Sequence, residues 1–387
     1  MKSVILLSGI LLTVFLASCS DDSESPGLPP EGFIYRQGNK LLLNGEPIML
    51  RGVCFSNFFW KERDFLYKSH HNEADYEKLR SMNMNVVRFY MMASMFEAPD
   101  QPYVYPEENF HWLDTNIEWA RNNGIYLILD MQGPQGGYQS DGDGTALWED
   151  RENQLRLLAL WKYIAERYRD EPVIAGYDLL NEPVVSRSRS QWESLAGEIV
   201  EEIRSVDRNH LLIVANTMMI ADRPLTFERN RNFFLVDDEN VLYTFHFYYP
   251  IEYTHQRTSW TDFPDAGSYP DETKTNLTLF NPFLRFIIKR DKRYLEYEVK
   301  RLTRFGRKNN IPQYVGEFGA YTSCFDDRGG LQWLNDTLSL FHEYGLHYTW
   351  HSYHESGFGF YVNDYGLPDP AKERTEITGM FTRYLAP

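Results

Sequence analysis

The chain has 387 residues, 43% of them hydrophobic in type, which is enough to bury the core of a large domain. Its formal net charge of −16, with no Lys/Arg block, excludes a nucleic-acid partner gripped through phosphates. Aromatic residues reach 16%; some must fill the core, while exposed Trp and Tyr faces would suit the apolar C–H faces of sugars.

Residues 1–18 begin with a basic Lys2 and continue through Leu6-Leu7 and Leu11-Leu12 to the small residues Ala17-Ser18. The apolar stretch is shorter than the ~20 residues needed to span a bilayer, so it reads as an export signal rather than an uncleaved anchor. Leu16-Ala17-Ser18-Cys19 resembles a bacterial lipobox, which implies that Cys19 is lipidated and tethers an exported protein to the outer membrane, on its periplasmic face or at the cell surface. Residues 19–32 are acidic, with Ser and Pro, and form a flexible tether that cannot bury a core. The remaining 33–387 shows neither a second linker nor an internal repeat and is expected to be one domain.

Residues 33–43 read as a β-hairpin about Gln37-Gly38-Asn39, placed to plug one end of the domain. Eight short apolar runs then recur: 48–55, 85–90, 125–131, 173–180, 211–215, 241–247, 313–317 and 347–351. Helix-like segments lie between them, at 73–82, 112–122, 152–168, 191–206, 292–308 and 331–344. Strands that alternate with helices predict an α/β fold in which eight parallel strands close on themselves, a (β/α)8 or TIM barrel. Two long strand-to-helix loops, 132–150 and 248–288, are expected to wall a cleft. Tyr249, Tyr253, Trp260, Phe263 and Tyr269 in the second loop could line sugar sites or pack a satellite core. Cys54 and Cys324, the cysteines that remain after Cys19, could form one disulfide in an oxidising compartment, but they fall near the ends of different strands and are expected to be separate thiols.

Two motifs carry the chemistry: Asp178-Leu179-Leu180-Asn181-Glu182-Pro183 after the fourth run, and Val315-Gly316-Glu317-Phe318-Gly319 at the seventh. Both glutamates close apolar runs, so both fall at the C-terminal face of a barrel, where strand-to-helix loops converge. Two carboxylates that face one cavity can cleave a glycosidic bond, one protonating the leaving oxygen and the other serving as the electron-rich partner of the anomeric carbon. Glu182 is the candidate acid/base and Glu317 the candidate nucleophile.

With these motifs the chain, over roughly 33–385, resembles glycoside hydrolase family 5, the cellulase-like retaining enzymes of the (β/α)8 clan. The resemblance implies double displacement with net retention, no metal or nucleotide cofactor, and carboxyls about 5–5.5 Å apart. It also implies that Asn181 contacts the 2-hydroxyl of the reacting sugar, that Arg88 keeps Glu317 ionised, and that Tyr248 hydrogen-bonds Glu317. By the same resemblance His246 would bind sugar or tune the acid/base, and Trp350 would be the platform on which the sugar stacks. Gln132 departs from the pattern: the family usually carries a histidine there, and a glutamine bonds hydroxyls without carrying charge. The expected substrate is therefore a β-glucan or related β-glycan, as an oligo- or polysaccharide, cut by a monomer. A β-mannanase, an exo-acting β-glucosidase, a transglycosylase and a non-catalytic surface glycan-binding lipoprotein stand as alternatives. A metal-dependent hydrolase is the weakest, because His70, His71, His246, His351 and His354 lack ligand spacing on any single element.

Overall fold

The computed structural model describes residues 30–57, 70–140, 144–223, 227, 229–261, 263, 266–278, 287–363 and 365–386. Residues 1–18, expected to be an export signal, together with Cys19, most of the expected tether and part of the second long loop, lie outside the described residues.

The chain opens with β1 (Ile34–Gln37), β2 (Lys40–Leu43) and the short β3 (Glu46–Pro47), an antiparallel sheet that contains the expected hairpin. There follow β4 (Arg51–Phe55), α1 (Glu73–Ser81), β5 (Val86–Met92), α2 (His111–Asn123) and β6 (Tyr126–Gly133). Next come α3 (Thr145–Glu149), α4 (Arg151–Tyr168), β7 (Ile174–Asp178), β8 (Val184–Val185), α5 (Ser190–Arg204), β9 (Leu211–Ala215), β10 (Met219–Ile220) and β11 (Val241–Phe247). The remainder holds α6 (Ile251–Thr254), β12 (Asp271–Thr278), β13 (Ile287–Arg290), α7 (Lys292–Leu302), α8 (Arg304–Asn309), β14 (Gln313–Phe318), α9 (Gly330–Glu343), β15 (His347–Trp350) and α10 (Thr375–Tyr384).

Strands β4, β5, β6, β7, β9, β11, β14 and β15 pair in parallel and close, β15 returning to β4. These are the eight runs read from sequence. Parallel strands covered by helices are buried on both faces, which is why they read as nearly unbroken apolar runs.

The barrel interior changes character along its axis. At the N-terminal end Leu50, Val86, Ile128, Ala175, Leu211, Ile213, Leu242 and Tyr314 form an apolar cluster that also takes in Ile34 and Leu41 of the hairpin, so the hairpin does plug that end. Alternation along each strand then brings polar side chains inward one step higher. Val86 gives way to Arg88 and Tyr90, and Ile128 to Asp130 and Gln132. A larger apolar shell lies between the strands and the helices outside. A folded chain can hold charges inside its barrel only if they compensate one another, and at the C-terminal end they do.

Candidate active site

Arg88 is fully buried and forks to three carboxylates. Its Nε lies 2.9 Å from Asp178 Oδ2, its Nη2 2.7 Å from Asp130 Oδ1, and its Nη1 2.7 Å from Glu317 Oε1. Nη2 also donates to Asn181 Oδ1 at 3.0 Å. The planar guanidinium suits this fan of acceptors, which a lysine could not match. Burial pushes Asp130 and Asp178 above the usual carboxylate range, against the pull of Arg88.

Glu317 receives three donors: Arg88 and Tyr90 OH (2.6 Å) on Oε1, and Tyr248 OH (2.8 Å) on Oε2. Burial alone would raise its pKa. The positive charges of His246, His351 and Arg88, with the Tyr90 hydrogen bond, outweigh burial and hold the carboxyl well below its ordinary value. Local backbone aims it. The β11–β14 register shifts between Phe245 and His246, and the β14–β15 register shifts between Val315 and Phe318, an irregularity of the kind that redirects side chains near active sites. Gly316 is required there, since a Cβ would stand 2.7 Å from Thr244 Oγ1 and 3.2 Å from His246 Nε2.

Glu182 sits past the end of β7 with φ +42°, a left-handed backbone unusual for a side chain of its size. The turn is fastened by Trp161 Nε1 donating to Leu179 O and by Asn181 N donating to Met131 O, both at 3.0 Å. Its Oε1 accepts from His246 Nδ1 at 2.7 Å, and its Oε2 accepts from Ser140 Oγ. His246 Nδ1 is also 3.5 Å from Glu317 Oε2, so one ring bridges both carboxylates. Burial lowers the pKa of His246, but Glu317 and Glu182 more than reverse this and raise it.

One oxygen of each glutamate and a ring nitrogen of His246 lie within 4.8 Å of one another. That closeness suits the short carboxyl spacing of a retaining glycosidase and not the ~6.5–9.5 Å that leaves room for a water in an inverting one. The same three atoms are the ligand types a divalent cation takes. Here, however, protons of Arg88, Tyr90 and Tyr248 already occupy the oxygens of Glu317, and a cation would have to displace some of them. Three further histidines cluster away from the glutamates: His70, His71 and His354 pack together and bond Asn116 and backbone, with burial holding His71 down at about 3.

Gln132, from the end of β6, donates to Tyr138 OH at 3.2 Å, and its Oε1 is buried with no hydrogen-bond partner among the described residues. Asn181 Nδ2 donates to Ser140 Oγ at 3.3 Å. The first long loop thus does reach the site, through Tyr138 and Ser140.

Trp350 is a correction. It is wholly buried outside the barrel, against Phe318, Phe360 and Phe381, with Nε1 donating to Phe358 O, and it cannot face a sugar. Strand alternation turns the next residue, His351, inward instead. His351 lies 3.0 Å from Tyr90 OH and 4.0 Å from Glu317. In the second long loop Tyr253 and Tyr269 are core, whereas Trp260 is 58% exposed. Its ring touches Tyr321 and Phe358, and Phe358 in turn touches Tyr248 and His351. Cys54 and Cys324 are free and buried; burial, then the charge of Glu317, push the Cys54 thiol up to about 12.

Sequence reasoning missed Tyr90, Asp130, Asp178, Ser140 and His351. Asp130 and Asp178 carried a usable signal, as charged residues inside otherwise apolar runs.

Residues 41–357 match the family model for cellulase (glycosyl hydrolase family 5). The chain is 28% identical over 303 residues to endoglucanase C of Acetivibrio thermocellus, covering 76% of this chain and 86% of that one. It is 21% identical over 277 residues to cellodextrinase A of Ruminococcus flavefaciens, covering 71% and 76%. Endoglucanase Cel5A of Thermotoga maritima superposes with a TM-score of 0.68 at 21% identity, covering 87% of this chain and 96% of that one. With the closed barrel and its paired glutamates, the family match over most of the chain leads to one conclusion: this protein belongs to glycosyl hydrolase family 5 and is a retaining glycosidase.

Proposed function

We propose that the protein is an endo-acting β-glucanase in which Glu317 is the nucleophile and Glu182 the acid/base. The observation that carries the roles is the asymmetry of the pair. Glu317 is saturated by Arg88, Tyr90 and Tyr248 and held as an anion, while Glu182 is bonded, among the described residues, by His246 and Ser140 at the rim of the cavity. Glu317 bonds to the anomeric carbon as the glycosidic C–O bond breaks, and Glu182 gives its proton to the departing oxygen. Glu182 then takes a proton from water as that water displaces Glu317, restoring both groups and the original anomeric configuration. Asn181, fixed through Arg88, would bond the 2-hydroxyl, and Gln132 offers an open acceptor to another hydroxyl.

The β-glucan assignment rests on likeness to endoglucanase C, the endo assignment on the aromatic wall that runs outward from His351 and Tyr248 through Phe358 to Tyr321 and Trp260. That wall extends binding surface beyond the reacting sugar. On β-glucan, Trp260→Ala should raise KM on the order of tenfold and leave hydrolysis of a small aryl glycoside unchanged. Wild type should release a spread of oligosaccharides early in the reaction. Mannan cut in preference, or monosaccharide as the sole early product, would replace this reading with the mannanase or exo-glucosidase alternative.

The site is complete within one chain, which supports action as a monomer. The lipobox-like Leu16-Ala17-Ser18-Cys19 supports export and anchoring through Cys19. Cys19→Ser should move the protein from the membrane fraction to the soluble fraction of a producing bacterium, and unaltered fractionation would refute the anchor.

A further inference from the structure

Tyr90 joins Glu317 to a group that the family resemblance did not supply. A phenol has one O–H to give. Glu317, ionised beside Arg88, can only accept, so the Tyr90 proton goes to Glu317 Oε1 at 2.6 Å. His351 Nδ1, 3.0 Å from the same phenol oxygen, must therefore carry a proton and donate it to a Tyr90 lone pair. The opposite ring nitrogen, Nε2, stands 3.3 Å from Glu355 Oε2. A bare imidazole lone pair facing an ionised carboxylate would repel it, so a second proton must lie in that contact too. Ser352 Oγ donates to the same Glu355 oxygen at 3.1 Å, so that oxygen already serves as an acceptor. Glu355 is 8% exposed, and water does little to screen the pair.

We propose that His351 and Glu355 form an imidazolium–carboxylate pair that acts through Tyr90 as a positioning unit, holding the Glu317 nucleophile ionised and aligned. The resemblance implied a flat indole facing the site at Trp350; the residue that faces it is His351, an imidazole. The groups that face His351 are consistent with this. Tyr90 comes from β5 and Glu317 from β14, 4.0 Å from Nδ1. Tyr248 and Phe358 present ring edges, and His255, beyond α6, is held down at about 4 by burial and then by the charge on His351. Arg88 lies behind the Tyr90 ring. The positive charge of His351 is also among the causes that keep Glu317 low.

This inference rests on Glu317 being the nucleophile, and the test separates the two. In histidine-15N-labelled full-length protein at pH 7, the His351 resonances, identified by their loss in His351→Gln, should show both ring nitrogens protonated. Glu355→Gln should remove one of those protons. For kcat/KM, His351→Phe, folded by circular dichroism, should move the acid limb up by about one pH unit, roughly a tenfold loss of rate on that side. A change of packing alone would lower kcat and leave the limb in place. A ring nitrogen left unprotonated in wild type, or an unmoved acid limb in folded His351→Phe, would overturn the pair. Loss of the nucleophile assignment would show instead as turnover surviving Glu317→Ala, whatever the spectrum reports.

Discussion

Replacing Glu317 with alanine should lower turnover of β-glucan by on the order of 10⁴-fold or more, because it removes the carboxylate that forms the covalent intermediate. The protein should remain folded, since the change removes one of three carboxylates around a single buried guanidinium and leaves Arg88 paired with Asp130 and Asp178. Added azide should restore bond cleavage by entering the vacated space. With one displacement instead of two, the product should be the α-glycosyl azide. Glu182→Ala should differ in kind. Aryl glycosides with a good leaving group need no proton, so their first step should survive and release of the intermediate should become slow; azide should then yield the β-glycosyl azide. Product configuration by proton NMR decides the matter, and the reverse pairing of variant and anomer would exchange the two roles.

Arg88→Ala should be the most damaging single change to the fold. It strands Asp130, Asp178 and Glu317 in the barrel without their counter-charge, and breaking a buried pair of this kind costs about 3–5 kcal/mol. The loss should depend on pH with a definite sign. Without Arg88 the buried carboxyls hold protons more tightly in the folded state than in the unfolded chain, so the folded state binds more protons and stability must rise as pH falls. The deficit relative to wild type should be largest at neutral pH and shrink toward the acid range. Chemical denaturation at two pH values measures it, and a deficit independent of pH would show that lost packing, not charge, is responsible. Arg88→Lys should recover only part of either property, since an ammonium cannot fork to three acceptors.

The barrel was legible because buried parallel strands advertise themselves as apolar runs, and the eight runs became the eight strands with boundaries moved by only a few residues. The same property hid which way side chains point. In a strand buried on both faces, alternation of polarity is lost, so nothing in Tyr348-Thr349-Trp350-His351 says which residue faces the axis. Trp350 reads as a cavity residue through the family resemblance alone, and no periodicity in the strand marks His351 as the inward one. Glu182 and Glu317 could be read because the chemistry needs a pair and the motifs supplied one. Ser140 and Tyr138 could not, since a loop of Gly, Gln and Ser carries no periodicity to aim its side chains. α10 also escaped, its Ile377, Met380 and Phe381 too sparse among threonines to stand out beside the longer helices.

The hairpin seal has a consequence for traffic. With Ile34 and Leu41 closing the N-terminal end, the reaction chamber opens at the other end, and polymer, both cleaved ends and the hydrolytic water must all use that mouth. A chain that reaches the glutamates cannot thread along the barrel axis, and must enter and leave on the same face.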